Sequence, residues 1–297
     1  MLPPNSKLKV KTMSDKAIKI NADMFINAMR KHGTDWSKPW VQTSIDLGEH
    51  ANISTGHTFS GFNPFILSMA AMAHDWQSPH WLTYNQAKQS NGKYRVRRDE
   101  LKRQTWILRP LIVNKNEDGE KSTFIAGWRA YGVYNGAQLE APLLTEKNNT
   151  PLPNGVEHNA KADSIVNNTN IHINYGGDRA FYSPSLDSVG MPTVEQFETS
   201  NGYYSTLFHE LGHATGHKSR LDRKFGVDKK GYAFEELVAE CSSAMSMIKL
   251  GMINEPRDDH AKYLNNWIAM LQDNPNALQQ AFSKAERATA WVMNEKR

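Results

Sequence analysis

Residues 209–213 read His-Glu-Leu-Gly-His, and this run constrains the fold more than any other stretch of the chain. Two histidines four positions apart share a face only on an α-helix, so the chain must form a helix here with both imidazoles turned to one point. At that point they can hold a single metal ion, and Glu210 projects beside it, able to take a proton from water. A match this short also arises by chance, so its surroundings must decide. Tyr203-Tyr204-Ser205-Thr206-Leu207-Phe208 just ahead is aromatic and apolar, as a buried helix requires. Gly202 lies near the expected start, and Gly216 is placed to end the helix in a left-handed turn.

Two histidines leave a metal short of protein ligands. The nearest acidic source is Glu235-Glu236-Leu237-Val238-Ala239-Glu240, where Glu236 and Glu240 are i,i+4 neighbours. One of them can bind the ion while the other orients a histidine from behind. The arrangement resembles the thermolysin-like, or gluzincin, pattern, which makes Glu236 the ligand and Glu240 the supporting carboxylate; Glu240 as ligand stays open as the alternative. The expected ion is Zn2+, with Mn2+ as another choice. The metzincin pattern is not met, because Ser219 stands where its third histidine should be. His217 falls too early for that role and reads as a local hydrogen-bonding residue.

At 39% hydrophobic and 22% charged residues, the 297-residue chain can bury sizeable cores. No apolar run approaches the roughly 20 residues that span a bilayer, and residues 1–19 lack the apolar core of a signal peptide. The expectation is therefore a cytoplasmic protein with no membrane partner. One cysteine, Cys241, excludes an intramolecular disulfide and reads as a core residue, not a nucleophile.

Charge is unevenly placed. Residues 1–135 hold 19 Lys and Arg against 11 Asp and Glu, a balance of +8, whereas residues 136–297 hold 16 against 20, a balance of −4. This asymmetry suggests two functions joined, with a first domain over 1–137, a Pro- and Asn-rich linker or long loop over 138–160 and a second domain over 161–297. In the first, the basic residues Lys88, Lys93, Arg95, Arg97, Arg98, Lys102, Arg103 and Arg109 follow a stretch rich in Trp, Tyr and Phe. Such interleaving suits single-stranded nucleic acid, where bases stack on rings and cations follow the phosphates. Lys93, Arg95, Arg97, Arg98, Lys102 and Arg103 are the expected phosphate contacts, and Trp81 and Tyr84 the expected stacking rings. No helix-turn-helix or zinc-finger spacing is present.

Periodicity predicts an α+β fold. Helices are expected over 18–30 with Gly33 as a stop, 64–74, 83–90, 258–271 and 277–293, and strands over 106–113, 123–134 and 171–175. The first two strands flank a hairpin signal at Asn116-Glu117-Asp118-Gly119. Arg179–Ser183 is expected as an edge strand beside the cleft, of the kind that pairs with an extended peptide.

These blocks together resemble a known family. Trp36-Ser37-Lys38-Pro39-Trp40, Ser60-Gly61-Phe62-Asn63-Pro64 and Trp81-Leu82-Thr83-Tyr84-Asn85-Gln86-Ala87 are similar to successive blocks of the ArdC-type antirestriction N-terminal domain, which also resembles the start of TraC-type plasmid primases. Ala180-Phe181-Tyr182-Ser183-Pro184, the motif at 208–213, Arg220-Leu221 and Tyr232-Ala233-Phe234-Glu235-Glu236 resemble the zincin-like metallopeptidase domain of the same family. One departure stands out: where relatives place a turn glycine after Val-Arg-Lys, this chain has Asp99. The resemblance implies a plasmid-borne protein that binds single-stranded DNA and shields incoming DNA from restriction during conjugation, acting in the recipient bacterium. It also implies His209, His213 and Glu236 as metal ligands and Glu210 as the base of a peptidase, on an unknown protein substrate such as a host restriction or defence component. A DNA-coating protein with a structural or vestigial metal is the competing reading. Tyr182 is a candidate substrate contact, and Tyr203, His172 and Arg220 are candidates for stabilising an oxyanion. A DNA-mimicking inhibitor would need a strongly acidic surface, which a net charge of +4 does not provide.

Overall fold

The computed structural model describes residues 13–117, 120–145, 157–223, 228–253, 255 and 261–295. Its first half is α+β. Helix α1 (Met13–His32) stops at Gly33, whose φ of 59° is left-handed. Helix α2 (Lys38–Leu47) follows a short 3-10 turn, and α3 (Asn63–His74) also opens with Pro in its first turn. Strands β1 (Ala51–Asn52), β2 (His80–Thr83), β3 (Thr105–Glu117) and β4 (Glu120–Asn135) form a sheet of order β1-β2-β4-β3. Between them α4 (Tyr84–Gln89) is capped by Thr83, whose hydroxyl accepts from the Gln86 amide while Gln86 reaches back. The hairpin strands pair as far as Glu117 with Glu120; the expected turn residues Asp118 and Gly119 lie outside the described residues.

The second half begins with α5 (Ala160–Asn168), followed by β5 (His172–Tyr175), β6 (Phe181–Ser183) and β7 (Ser188–Met191), ordered β5-β7-β6. Thus β6 is an edge strand, shorter than the expected 179–183. Four helices close the fold: α6 (Ser200–Ala214), α7 (Lys229–Leu250), α8 (Ala261–Asp273) and α9 (Asn276–Val292). Thr199 caps α6 and Asp228 caps α7, each accepting from a backbone amide of the first turn. Gly216 does not supply the expected left-handed cap. The chain leaves α6 at Thr215 in right-handed geometry and runs through a turn whose left-handed residue is Asp222.

The two halves share a core. Phe25 of α1 packs edge-on against Trp36 at 4.7 Å and against Phe282 of α9 at 6.1 Å, and Trp36 meets Trp267 of α8. Leu237, Val238 and Cys241 of α7 join the same cluster. Burial pushes the Cys241 thiol well above its usual range, as the core reading expected. No helix among the described residues is long and apolar enough to cross a membrane.

Candidate metal centre and nucleic-acid face

Close packing of α6 on α7 builds the centre. A Cβ placed on Gly212 would lie 3.2 Å from the Ala239 Cα, tighter than an ordinary contact, so glycine allows the two helices to approach this closely. The approach sets the carboxylates of α7 against the histidines of α6. His209 and His213 are buried with their Nε2 atoms 3.1 Å apart, and Glu236 places its two oxygens 3.6 Å from each. One donor atom from each of these residues lies within 4.8 Å of the others.

The donor set fits a cation. Two imidazole nitrogens facing each other need a proton or a positive ion between them. A tetrahedral ion with ligands at about 2.1 Å separates its ligand atoms by about 3.4 Å; separations of 3.1 to 3.6 Å have that scale. Burial alone would raise the Glu236 carboxyl, but His209 and His213 outweigh it and hold the group at about 2. Glu236 is therefore already ionised, as a metal ligand must be.

Each histidine has a carboxylate behind it. Glu240 lies 3.5 Å from His209 Nδ1, on the ring edge opposite the cluster, which makes it a support and not a third donor. Behind His213 Nδ1, at 3.8 Å, stands Glu235. Burial opposes its ionisation, but His213 and Arg223 overcome that and lower it below the ordinary carboxylate range. Arg223, itself buried, spans the Glu235 carboxylate, the Gly212 carbonyl and the Thr215 hydroxyl. Glu235 was readable from its place beside Glu236, whereas nothing in the sequence singles out Arg223.

A cavity of about 680 Å³ opens onto the cluster, lined by His209, Glu210, His213, Glu236, Tyr232 and Tyr263 on one side and by residues 176–182 and Pro184 on the other. The candidates for stabilising an oxyanion do not line it. Arg220 is spent on the Ala214 carbonyl, Asp187 and the Tyr182 hydroxyl. Tyr203 turns its hydroxyl to Tyr175, and His172 is exposed beside Asn174. Instead Tyr232 and Tyr263 reach the cavity with hydroxyls 3.4 Å apart, and Tyr232 also bonds to Glu236. Tyr232 sits one helical turn before Glu236, a signal that i,i+4 spacing carries. Tyr182 lines the cavity while donating to Asp187 at 2.8 Å. Burial pushes its hydroxyl up to about 12, so it stays protonated. His217 pairs with Ser219 and Asp187, away from the cluster.

The basic stretch divides into two groups. Arg97 grips the Ala137 and Leu139 carbonyls, and both Arg97 and Arg103 bond to the buried Glu100. These two arginines hold the end of the sheet together. Lys93, Arg95, Arg98 and Lys102 are exposed. Asp99 lies in a 3-10 turn with no left-handed residue, so the missing glycine costs nothing there. Tyr84 is exposed, with the Lys88 ammonium 4.7 Å from its ring centre. Trp81 corrects the expectation: it is fully buried and donates its indole N–H to His50 Nδ1 at 3.0 Å, so no base can stack on it. Sequence reading also missed a pair. Arg109 and Arg129 stand directly opposite each other across β3 and β4, both exposed, an arrangement that repels until an anion joins it.

Residues 15–148 match the family described as the N-terminal domain of anti-restriction factor ArdC, and residues 160–284 match a zincin-like metallopeptidase family. The antirestriction protein ArdC of plasmid R388 in its metal-free crystal structure is 30% identical, with a TM-score of 0.73 over 94% of this chain and 99% of that one. The chain belongs to the ArdC antirestriction family. The Mn(II)-bound crystal structure of the R388 protein matches equally well, at 28% identity and a TM-score of 0.73. The uncharacterised protein y4eC of Sinorhizobium fredii is 30% identical over 90% of this chain and 88% of its own. A DNA primase TraC of Escherichia coli is 33% identical over 92% of this chain, which spans only 19% of the primase.

Proposed function

We propose that this ArdC-family chain protects incoming plasmid DNA during conjugation by binding single strands on its first half and cleaving a protein with its second. The observation that carries the reading is the convergence of His209, His213 and Glu236 at the floor of an open cavity, with Glu210 beside them. A purely structural metal would close its fourth position and would have no use for Glu210. His209, His213 and Glu236 would hold Zn2+ or Mn2+. A bound divalent ion would polarise a peptide carbonyl and water by Lewis acidity.

The chain's own residues do the remainder. Glu210 takes a proton from the attacking water and can return it to the leaving amine. The free edge of β6 offers backbone groups to an extended peptide, and Phe181, exposed at the cavity wall, offers an apolar surface for its side chains. Lys93, Arg95, Arg98 and Lys102, with Tyr84 as a stacking ring, form the face for single-stranded DNA. The setting is the cytoplasm of the recipient bacterium, and a host restriction or defence component is the substrate sought.

Glu210→Gln tests this directly. The variant should keep its metal and its DNA affinity while losing protection of incoming plasmid. Unchanged protection would make the chain a coat for DNA whose metal serves structure alone.

A further inference from the structure

One contact to the metal centre comes from the other end of the chain. Ser37 is fully buried at the N-terminus of α2, and its hydroxyl lies 3.5 Å from Glu240 Oε1. The other oxygen of Glu240 lies 3.5 Å from His209 Nδ1, and Nε2 of the same ring faces His213 and Glu236. Hydroxyl, carboxylate, imidazole and cluster therefore stand in sequence, although Ser37 and Glu240 are 203 residues apart.

We propose that Ser37 is a positioning residue of the metal centre, holding Glu240 so that it fixes the ring of His209. The inference rests on the metal-binding reading above. Ser37 ends the 3-10 turn in right-handed geometry, which does not cap α2, and its hydroxyl faces Glu240. With Oε1 facing Ser37, Oε2 faces His209 Nδ1 at 3.5 Å and would receive a proton carried there. That proton keeps the Nε2 lone pair toward the cluster. Ser37 has little freedom to move, because the neighbouring Trp36 is locked between Phe25 and Trp267. The first half of the chain thus helps to shape the metal site of the second.

The test is a double-mutant cycle read by Mn2+ and Zn2+ affinity on metal-free full-length protein, with thermal unfolding followed alongside. Ser37→Ala should weaken metal binding about three- to tenfold. Glu240→Gln should weaken it about ten- to a hundredfold, as expected for a partner that touches the ligand itself. The double variant should be no weaker than Glu240→Gln, because Ser37 acts only through that carboxylate. Ser44→Ala, which removes a 2.8 Å contact to Ser68 from the same helix, should bind metal as the wild type does. Wild-type affinity in Ser37→Ala overturns the proposal, as do equal losses from Ser37→Ala in both backgrounds or a matching loss in Ser44→Ala. A wild-type chain that takes up no ion defeats the metal reading itself, which separates the two failures.

Discussion

His209 and His213 each turn one nitrogen to the cluster and the other toward a buried carboxylate, 3.5 and 3.8 Å away. His209→Ala and Glu236→Ala should each abolish metal uptake, measured as metal per purified chain, while single-stranded DNA affinity persists. Metal retained in Glu236→Ala would show that Glu236 is not the third ligand. Glu235 makes a separate prediction through Arg223. Replacing it with Gln leaves a buried guanidinium uncompensated and should cost about 3 kcal/mol at neutral pH. The pH dependence has a definite sign. The carboxyl is depressed in the fold, so its contribution is complete above the ordinary carboxylate range and is lost as pH falls through the lowered value. The stability gap between wild type and Glu235→Gln, followed by thermal unfolding, should therefore narrow in acid. A gap that widened there would contradict the assigned ion pair. At this scale the spacing picked out the histidines and Glu210, while Glu236 was preferred to Glu240 only through the gluzincin resemblance. Arg223 and Asp187 were not readable, because tertiary contacts across turns leave no periodic trace.

Among the elements, the decisive contact is Gly212 against Ala239. Gly212→Ala would favour the helix by up to about 1 kcal/mol on propensity alone. In this packing the added Cβ needs α7 to give by a few tenths of an ångström, which moves Glu236 relative to the histidines. Weaker Mn2+ affinity together with lower thermal stability is expected; a variant that gained both would show that the helices have slack. Helical periodicity located α1, α3, α8 and α9 because each buries an apolar stripe. The acidic run at 235–240 gave no sign that its helix begins back at Lys229, because Lys229, Lys230 and Gly231 look polar and unstructured. Asp228 begins the helix there by capping it. Gly216 misled for a related reason: a glycine at a helix end is free to adopt a left-handed turn but is not compelled to.

Across the whole molecule, the charge division of +8 and −4 runs parallel to the two family matches, over residues 15–148 and 160–284. It could not tell which rings face water. Trp81 lies in the core because its N–H finds His50 there, while Tyr84, three residues on, remains exposed. If the basic face holds single strands, log K should fall with log salt by about 0.7 per phosphate neutralised. Arg109→Ala with Arg129→Ala should flatten that slope and also raise stability slightly by relieving like-charge repulsion. An unchanged slope would remove the hairpin from the binding face. The shared core of Phe25, Trp36, Trp267 and Phe282 bears on ancestry as well as on stability. A recombination break between residues 138 and 160 would expose to water the apolar surface that each half buries against the other. Exchange between plasmids should therefore move the two halves together. The longer TraC primases, which align with 92% of this chain, carry both halves together, as a shared core requires.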